Sequence, residues 1–516
     1  MRCPELAFFS PSEWSGAGAH FQRMRCSLKA LRTIFPLLTF GFFSALALVA
    51  QSDVSAPPST TPSVSLPGNE NAFLGSDPDG KPTPGVLQID YKEAIERGLR
   101  HNLGLLLARD QTQMARGERW KELSELLPNL TARVQENVET ESLAALGFNK
   151  LLPFFGSPGS NTRSFPRVTA PFNYFDARAS LSQSLFSFKD LENERSASES
   201  LKSAQFTYKD AREMVVLAVG NSYLQTIAAA ARVETAQAQV TNAQALYGKA
   251  ADQLTAGLTP AIDALRSQVE LQTRRQQLIA ARNDLAKLKL SVARVIGLAP
   301  GQEFVLTEKA PYRELTVLPL DTYLQSAYST RGDYQAALTK VRAAELSRRA
   351  ASAGRYPSLD LNANLGDIGV TPSQSNGTWQ VNGGLNIPIF AGNRVHSDVL
   401  EADAQLKQAR SQLGDLRGKI DYQVRSALLD LAAAAEQVAV ARSSVDLAEQ
   451  TLAQSQDRFT AGVADNLEVV QAQEALASAH ESYIQSLYAH NLSKVELAYA
   501  IGDAEEGVKR FLKGNQ

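Results

Sequence analysis

Two stretches of this chain carry one pattern at two addresses. A shift of 205 residues lays 253–297 on 458–502 without a gap. Thr255-Ala256-Gly257 falls on Thr460-Ala461-Gly462, Gln268 on Gln473, Leu271 on Leu476 and Lys289 on Lys494. Ala293, Ile296 and Gly297 fall on Ala498, Ile501 and Gly502. Upstream, Leu224 meets Leu429, and Ala228-Ala229-Ala230 meets Ala433-Ala434-Ala435. Composition alone does not reproduce the turns at both ends of a helix, so the chain reads as an internal duplication.

The repeat reaches further toward the N-terminus. Leu127-Pro128-Asn129-Leu130 resembles Tyr356-Pro357-Ser358-Leu359, where helix gives way to strand. Leu181 to Phe186 resembles Leu385 to Phe390, where strand gives way to helix. Each unit then reads helix, strand, strand, long helix, turn, helix. The expected divisions are a first repeat over 87–300, a connector over 301–316, a second repeat over 317–505 and a tail over 506–516.

A helical pattern is expected from Asp90 to Leu127, stopped by Pro128. From Asp190 to Leu254 there is no proline, and two glycines, Gly220 and Gly248, are spaced far apart. A helix of that length approaches ~100 Å and needs coiling partners. Gly257 can end it in the left-handed conformation, and Pro260 suits the start of the next helix, expected over 261–296. There Leu278, Ala281, Leu285, Leu288, Val292 and Val295 alternate steps of three and four, the 3.5-residue repeat of a coiled coil. An ordinary antiparallel helical hairpin in a bundle shares that spacing. Aromatic residues make up 7% of the chain, which suits helices packed by small side chains better than a thick core.

The strands alternate. Leu359, Leu361, Ala363 and Leu365 oppose Asp360, Asn362 and Asn364. Trp379, Val381, Leu385, Ile387 and Ile389 oppose Gln380, Asn382 and Asn386. In the first repeat Leu130, Ala132 and Val134 oppose Thr131, Arg133 and Gln135; Ala177, Ala179, Leu181 and Leu185 oppose Arg178, Ser180, Ser182 and Ser184. Period two means one greasy and one wet face, which a soluble sheet shares. The strands are near the ~9–11 residues that cross a bilayer obliquely, and their wet faces are rich in Asn, Gln and Ser. Phe154, Phe155, Phe172, Tyr174, Phe175, Phe186, Phe188, Trp379 and Phe390 gather near strand ends, as a headgroup belt would or as core packing would. Beyond residue 52 no run of ~18 apolar residues is evident, so crossing a membrane would require a closed barrel. Four strands cannot close one, and open edges are not tolerated in lipid, so the pattern demands oligomerisation.

Both cysteines, Cys3 and Cys26, lie at the N-terminus. Lys29 and Arg32, the apolar run Ile34–Val49 and Ala50-Gln51-Ser52 read as an export signal, giving a signal segment over 1–52 with Met24 as an internal start; an uncleaved anchor is the alternative. The mature chain would hold no cysteine and no disulfide. Residues 53–86, rich in Pro, Ser, Thr and Gly, read as a flexible leader.

With the duplication, the Leu-Pro-Asn-Leu before a strand, Ile387-Pro388-Ile389-Phe390-Ala391-Gly392 before a long helix, and the paired turns Thr-Ala-Gly-Leu and Thr-Ala-Gly-Val, residues 87–505 resemble the TolC-like outer-membrane efflux protein family. The resemblance implies an α+β membrane protein in which each subunit of a homotrimer gives four strands to one twelve-strand β-barrel. The long coiled-coil helices would form a periplasmic α-barrel with the turns at its inner end. It implies a non-enzymatic exit duct in the outer membrane, in contact with lipid. A periplasmic adaptor and an inner-membrane transporter would join it in a tripartite efflux pump or type I secretion system.

It also implies a gate beside the turns, with Asp263 and Glu468 at the family's acidic position. A ring of such carboxylates favours cations. Helix capping accounts for both acids equally well, since acids in a first turn offset the helix dipole, and Asp465 with Glu468 has capping-box spacing. Gln471 and Ala464 stand where some members carry a further acid and a basic partner. Gly257, Leu258, Gly462 and Val463 are the expected adaptor contacts, although local packing that closes each turn explains them too. Phe172, Phe175, Phe186, Trp379 and Phe390 are the expected membrane belt.

Other chemistry finds little support. Gly75 to Lys81 follows most of a phosphate loop, but Pro82 replaces Ser or Thr and no strand or helix frames it. The five histidines make no ligand pair of conventional spacing. Charge is nearly even, 52 basic against 54 acidic residues, which gives no reason to propose nucleic acid. No cofactor, metal or catalytic residue is expected. The competing class is a periplasmic coiled-coil scaffold whose strands form a small packed sheet.

Overall fold

The structure is a computed structural model that describes residues 70–507 apart from 79, 144, 148–167, 258, 309–311, 316 and 465. The export signal, the first part of the leader, Phe154, Phe155, Leu258, Asp465 and most of the tail lie outside the described residues. Along the chain come α1 (Glu70–Phe73), β1 (Leu87–Ile89), α2 (Tyr91–His101), α3 (Leu103–Ser124), β2 (Asn129–Glu139), β3 (Phe172–Phe186), α4 (Phe188–Thr255) and α5 (Ala261–Val295). They are followed by β4 (Phe304–Leu306), α6 (Leu320–Thr330), α7 (Gly332–Ala353), β5 (Ser358–Gly369), β6 (Ser375–Asn386), α8 (Arg394–Thr460) and α9 (Asn466–Ala500).

The helix expected over 90–127 is two helices. Asn102 caps both: its backbone N–H closes α2 on Gly98, and its side-chain oxygen accepts from Gly104 N at 3.0 Å to open α3. No proline marks that corner, and the nearby glycines, Gly98 and Gly104, lie within the two helices. The end of the leader is also folded. Thr83 N donates to Gln302 at 2.7 Å, Asp77 N to the His101 carbonyl at 2.9 Å, and Leu103 N to the Gly75 carbonyl at 3.0 Å. Short strands β1 and β4 pair in parallel, so the expected connector contributes an element to the first repeat.

α4 and α8 have 68 and 67 residues, about 100 Å each at ~1.5 Å per residue. α4 contains one stretch long and apolar enough to cross a membrane, against expectation, and most of that stretch is buried inside the fold. It supplies Met214 to Val219, Tyr223, Leu224 and Ile227 to a core completed by α2, the end of α5 and the far half of α9. A second core joins α6, Ile420 to Leu431 of α8 and the end of α9. Each fully buried aliphatic side chain there contributes roughly 1.5–3 kcal/mol.

Near the strands the helices lie side by side as α3, α4, α7, α8; toward the tips the order is α5, α4, α9, α8. The sheet runs β2-β3-β5-β6, all antiparallel. One border of the subunit is therefore β2, α3 and α5. The other is β6 and α8.

Candidate functional site: hairpin tips and an uncovered sheet

Directly opposed residues share a face of a sheet. The register makes rows Leu130–Leu181–Ala363–Val381 and Ala132–Ala179–Leu365–Trp379 on one face. Asn129–Ser182–Asn362–Asn382 and Thr131–Ser180–Asn364–Gln380 lie on the other. Among the described residues nothing covers the apolar face. Leu130 is 73% exposed, Val134 71%, Leu365 66% and Trp379 76%. A soluble sheet packed on a core would bury that row, so the packed-sheet alternative has no counterpart here.

Two details shift the expected aromatic belt. A bulge between Ser184 and Phe186 sets Phe186 opposite Leu359 on the apolar face. Phe172 falls on the polar face, stacked on Tyr174 with ring centroids 6.3 Å apart. Phe175 keeps the apolar parity, and Phe390, beyond β6, is 87% exposed. Where strands meet helices, Phe186 packs edge to face on Phe188, and Phe188 lies tilted against Tyr356.

At the other end the two helical hairpins turn through Gly257 at φ 71° and Gly462 at φ 73°. A side chain is strained in that left-handed region, which is why glycine stands at both. At the second turn Gly462 N donates to the Phe459 carbonyl at 3.2 Å and Val463 N to the Arg458 carbonyl at 3.0 Å, a Schellman closure. Such a turn commonly folds its next apolar residue back on the helix. Val463 is instead 71% exposed, so local packing does not account for it.

Asp263 and Glu468 both stand in first turns, of α5 and α9, and both have cationic neighbours within the subunit. Asp263 lies 3.6 Å from Arg266. Glu468 is 3.1 Å from Arg458, at the end of α8, and accepts from Ser455 Oγ at 3.4 Å. Glu468 is part-exposed, whereas Asp263 is buried.

The two tips are also tied to each other. Asn466, fully buried, donates through Nδ2 to the Asp263 carbonyl at 3.0 Å and to Ser267 Oγ at 2.5 Å. Lys249 Nζ donates to Thr460 Oγ1 at 2.6 Å and sits 5.8 Å from the Phe459 ring centroid. Beneath them Leu246, Leu452, Phe459, Val469 and Ala472 pack together. Arg458, Asn466 and Lys249 were not singled out from sequence. Each reaches a partner on another helix, and no local spacing signals that.

Among the described residues, no group of three or more His, Cys, Asp or Glu could hold a metal ion. What the arrangement provides is a bare two-faced sheet at one end and a latched pair of turns at the other.

A family model described as outer membrane efflux protein matches residues 127–298 and 323–503. This chain belongs to that family. It is 26% identical over 227 residues to the outer membrane efflux protein BepC of Brucella suis, covering 43% of this chain and 49% of that protein. It is 23% identical over 349 residues to the probable outer membrane lipoprotein SilC of Salmonella typhimurium, covering 64% and 72% of the two chains. The aligned part thus spans about half of the first relative. Among solved structures, the CmeC outer membrane channel of Campylobacter jejuni superposes with a TM-score of 0.70 at 16% identity, covering 86% of this chain and 94% of that one. At that identity the likeness shows a shared fold.

Proposed function

We propose that three copies of this chain close into an outer-membrane exit duct, a passive channel and not an enzyme. The observation that carries the reading is the pair of unmatched borders. β2 and β6 are the outer strands of the sheet, with no further strand beside them among the described residues. The helices continuing those borders have bare apolar faces: Leu107 and Met114 on α3, Val269, Ile279 and Leu290 on α5, Leu429, Val440 and Leu447 on α8. The two borders differ, so copies join head to tail, and such contacts close into rings. Twelve strands from three copies form a closed barrel with no edge in lipid. The apolar rows then face the bilayer, with Phe175, Phe186, Trp379 and Phe390 as a partial aromatic belt. The helices extend the duct into the periplasm.

The tips are the reading's constriction. Asp263 and Glu468 stand beside it, each partly offset by its arginine, and Asn466 latches the two hairpins. Gly257, Leu258, Gly462 and the bare Val463 form the contact for a periplasmic adaptor, and through it an inner-membrane transporter of a tripartite efflux or type I secretion system. Cargo selection belongs to that transporter.

Fractionation and conductance test this together. The mature chain is expected in the outer-membrane fraction, and the purified protein is expected to open planar bilayers. Wholly soluble periplasmic protein without conductance would overturn the duct. Removing both acids as Asp263→Ala with Glu468→Ala is expected to lower cation preference; unchanged selectivity would leave them as helix caps.

A further inference from the structure

The polar face of the sheet is neutral for two adjacent rows and then carries paired arginines. β2 and β3 set Arg133 directly opposite Arg178. Like charges so placed destabilise a strand pair unless something of opposite sign lies between them. Asp176, two residues along the same face, takes Arg178 Nε at 2.9 Å and accepts from Gln135 Nε2 at 3.5 Å. Arg133 is exposed and makes no hydrogen bond or ion pair among the described residues. One carboxylate therefore answers two guanidinium groups.

The next strand leaves the row open. Opposite Arg178 on β5 is Gly366, and beyond it Thr378 on β6. A Cβ built on Gly366 would lie 2.3 Å from the Ala177 carbonyl oxygen and 2.5 Å from Arg178 Cβ, so no larger residue fits there unmoved. The other charges on this face, Asp360 and Glu139, lie three rows away on either side, roughly 20 Å along the strand at ~3.4 Å per residue.

Resting on the duct reading above, we propose that this face binds anions at the Arg133–Arg178 row. In a closed ring each subunit adds one uncompensated positive charge at the same height of the lumen. Guanidinium forks suit phosphate, sulfate and carboxylate groups, and a lumen walled by protein and lipid focuses their field. The duct then holds an anion-attracting belt at the barrel and acidic residues at the far tips.

The test is reversal potential across a planar bilayer in a potassium chloride gradient, with sulfate added afterwards as the probe. Three proteins are compared, all carrying Asp263→Asn and Glu468→Asn so that the tip acids impose no preference: this parent, its Arg133→Gln/Arg178→Gln derivative and its Arg133→Lys/Arg178→Lys derivative. The glutamine pair is expected to raise the potassium-to-chloride permeability ratio about twofold or more and to abolish block by sulfate. The lysine pair is expected to keep the parent's ratio. A conducting glutamine variant with an unchanged ratio and unchanged sulfate block would overturn the belt while leaving the duct intact. A parent without conductance would overturn the duct, and the belt with it.

Discussion

The last helices of the two repeats, α5 and α9, share a sequence pattern and meet opposite surroundings. Ile279 of α5 is 69% exposed, and its counterpart Ile484 of α9 is 8% exposed. Leu290 is 72% exposed where Val495 is fully buried. Two residues further on, on the opposite side of the helix, Val292 and Leu497 are buried in both. α9 packs between α8 and α4, whereas α5 has a neighbour on one side and forms a border. The duplicated helix keeps an apolar second face in each copy. In one repeat that face makes core; in the other it is left for another molecule.

The largest expected effect breaks this comparison directly. Ile484→Asp or Val495→Asp buries an unpaired carboxylate in the core and is expected to abolish folding, read as lost helical circular dichroism. Ile279→Asp or Leu290→Asp is expected to shift subunit stability by about 0.5 kcal/mol or less, while preventing assembly. Equal loss of folding in both pairs would mean that α5 is as much core as α9.

A buried ion pair separates the repeats next. Glu270 and Arg274 of α5 are both buried and meet at 2.6 Å, whereas α9 has Ala475 and Ala479 at the matching positions. Arg274→Ala leaves a buried carboxylate alone and is expected to cost about 3–5 kcal/mol in urea unfolding. Glu270→Leu with Arg274→Met is expected to recover most of that. Failure of the double variant to recover would give the pair a role beyond its own neutrality.

The latch comes third. Asn466 corresponds to the exposed Ala261 of the first repeat, so one tip holds the other without reciprocity. Asn466→Ala removes both contacts to α5 and is expected to weaken the joint by about 1–3 kcal/mol. Channel openings in bilayers should become longer or more frequent, and Ala261→Ser should leave them unchanged.

The smallest effect appears only with pH. Asp210 of α4 is pushed up to about 7, first by burial and then by the nearby Asp333, with Arg331 opposing. Its counterpart on α8, Asp415, is exposed. A carboxyl group raised in the folded state binds a proton there that the unfolded chain lacks. Its stabilising contribution is complete below the ordinary aspartate value near 4 and is lost as pH rises through about 7. Asp210→Asn is expected to flatten thermal stability between pH 5 and 8, raising it at the alkaline end. Glu213 and Lys419 also face this group; burial raises Glu213 too, so an unchanged slope would move the titration to Glu213.

The features legible in the sequence are those with a fixed local period. The 205-residue shift, the strand alternation and the glycine turns each follow from geometry within a few residues. The corner at Asn102 was not legible because asparagine there ends one helix and begins another through its own backbone and side chain. The bulge before Phe186 and the polar-face position of Phe172 depend on exact register, which a period-two count over an approximate strand does not fix. The tip contacts of Arg458, Lys249 and Asn466, and the different fates of Ile279 and Ile484, depend on which helix lies alongside. Identical periodicity carries no information about neighbours, so the repeats look alike in sequence and diverge in the fold.

Native mass spectrometry of the detergent-extracted mature chain tests most directly whether the two unlike borders close on each other. The predicted result is a single species of three copies that Leu290→Asp reduces to monomer. A wild-type monomer, or a two-copy species joining like borders, would contradict the ring and the duct built on it.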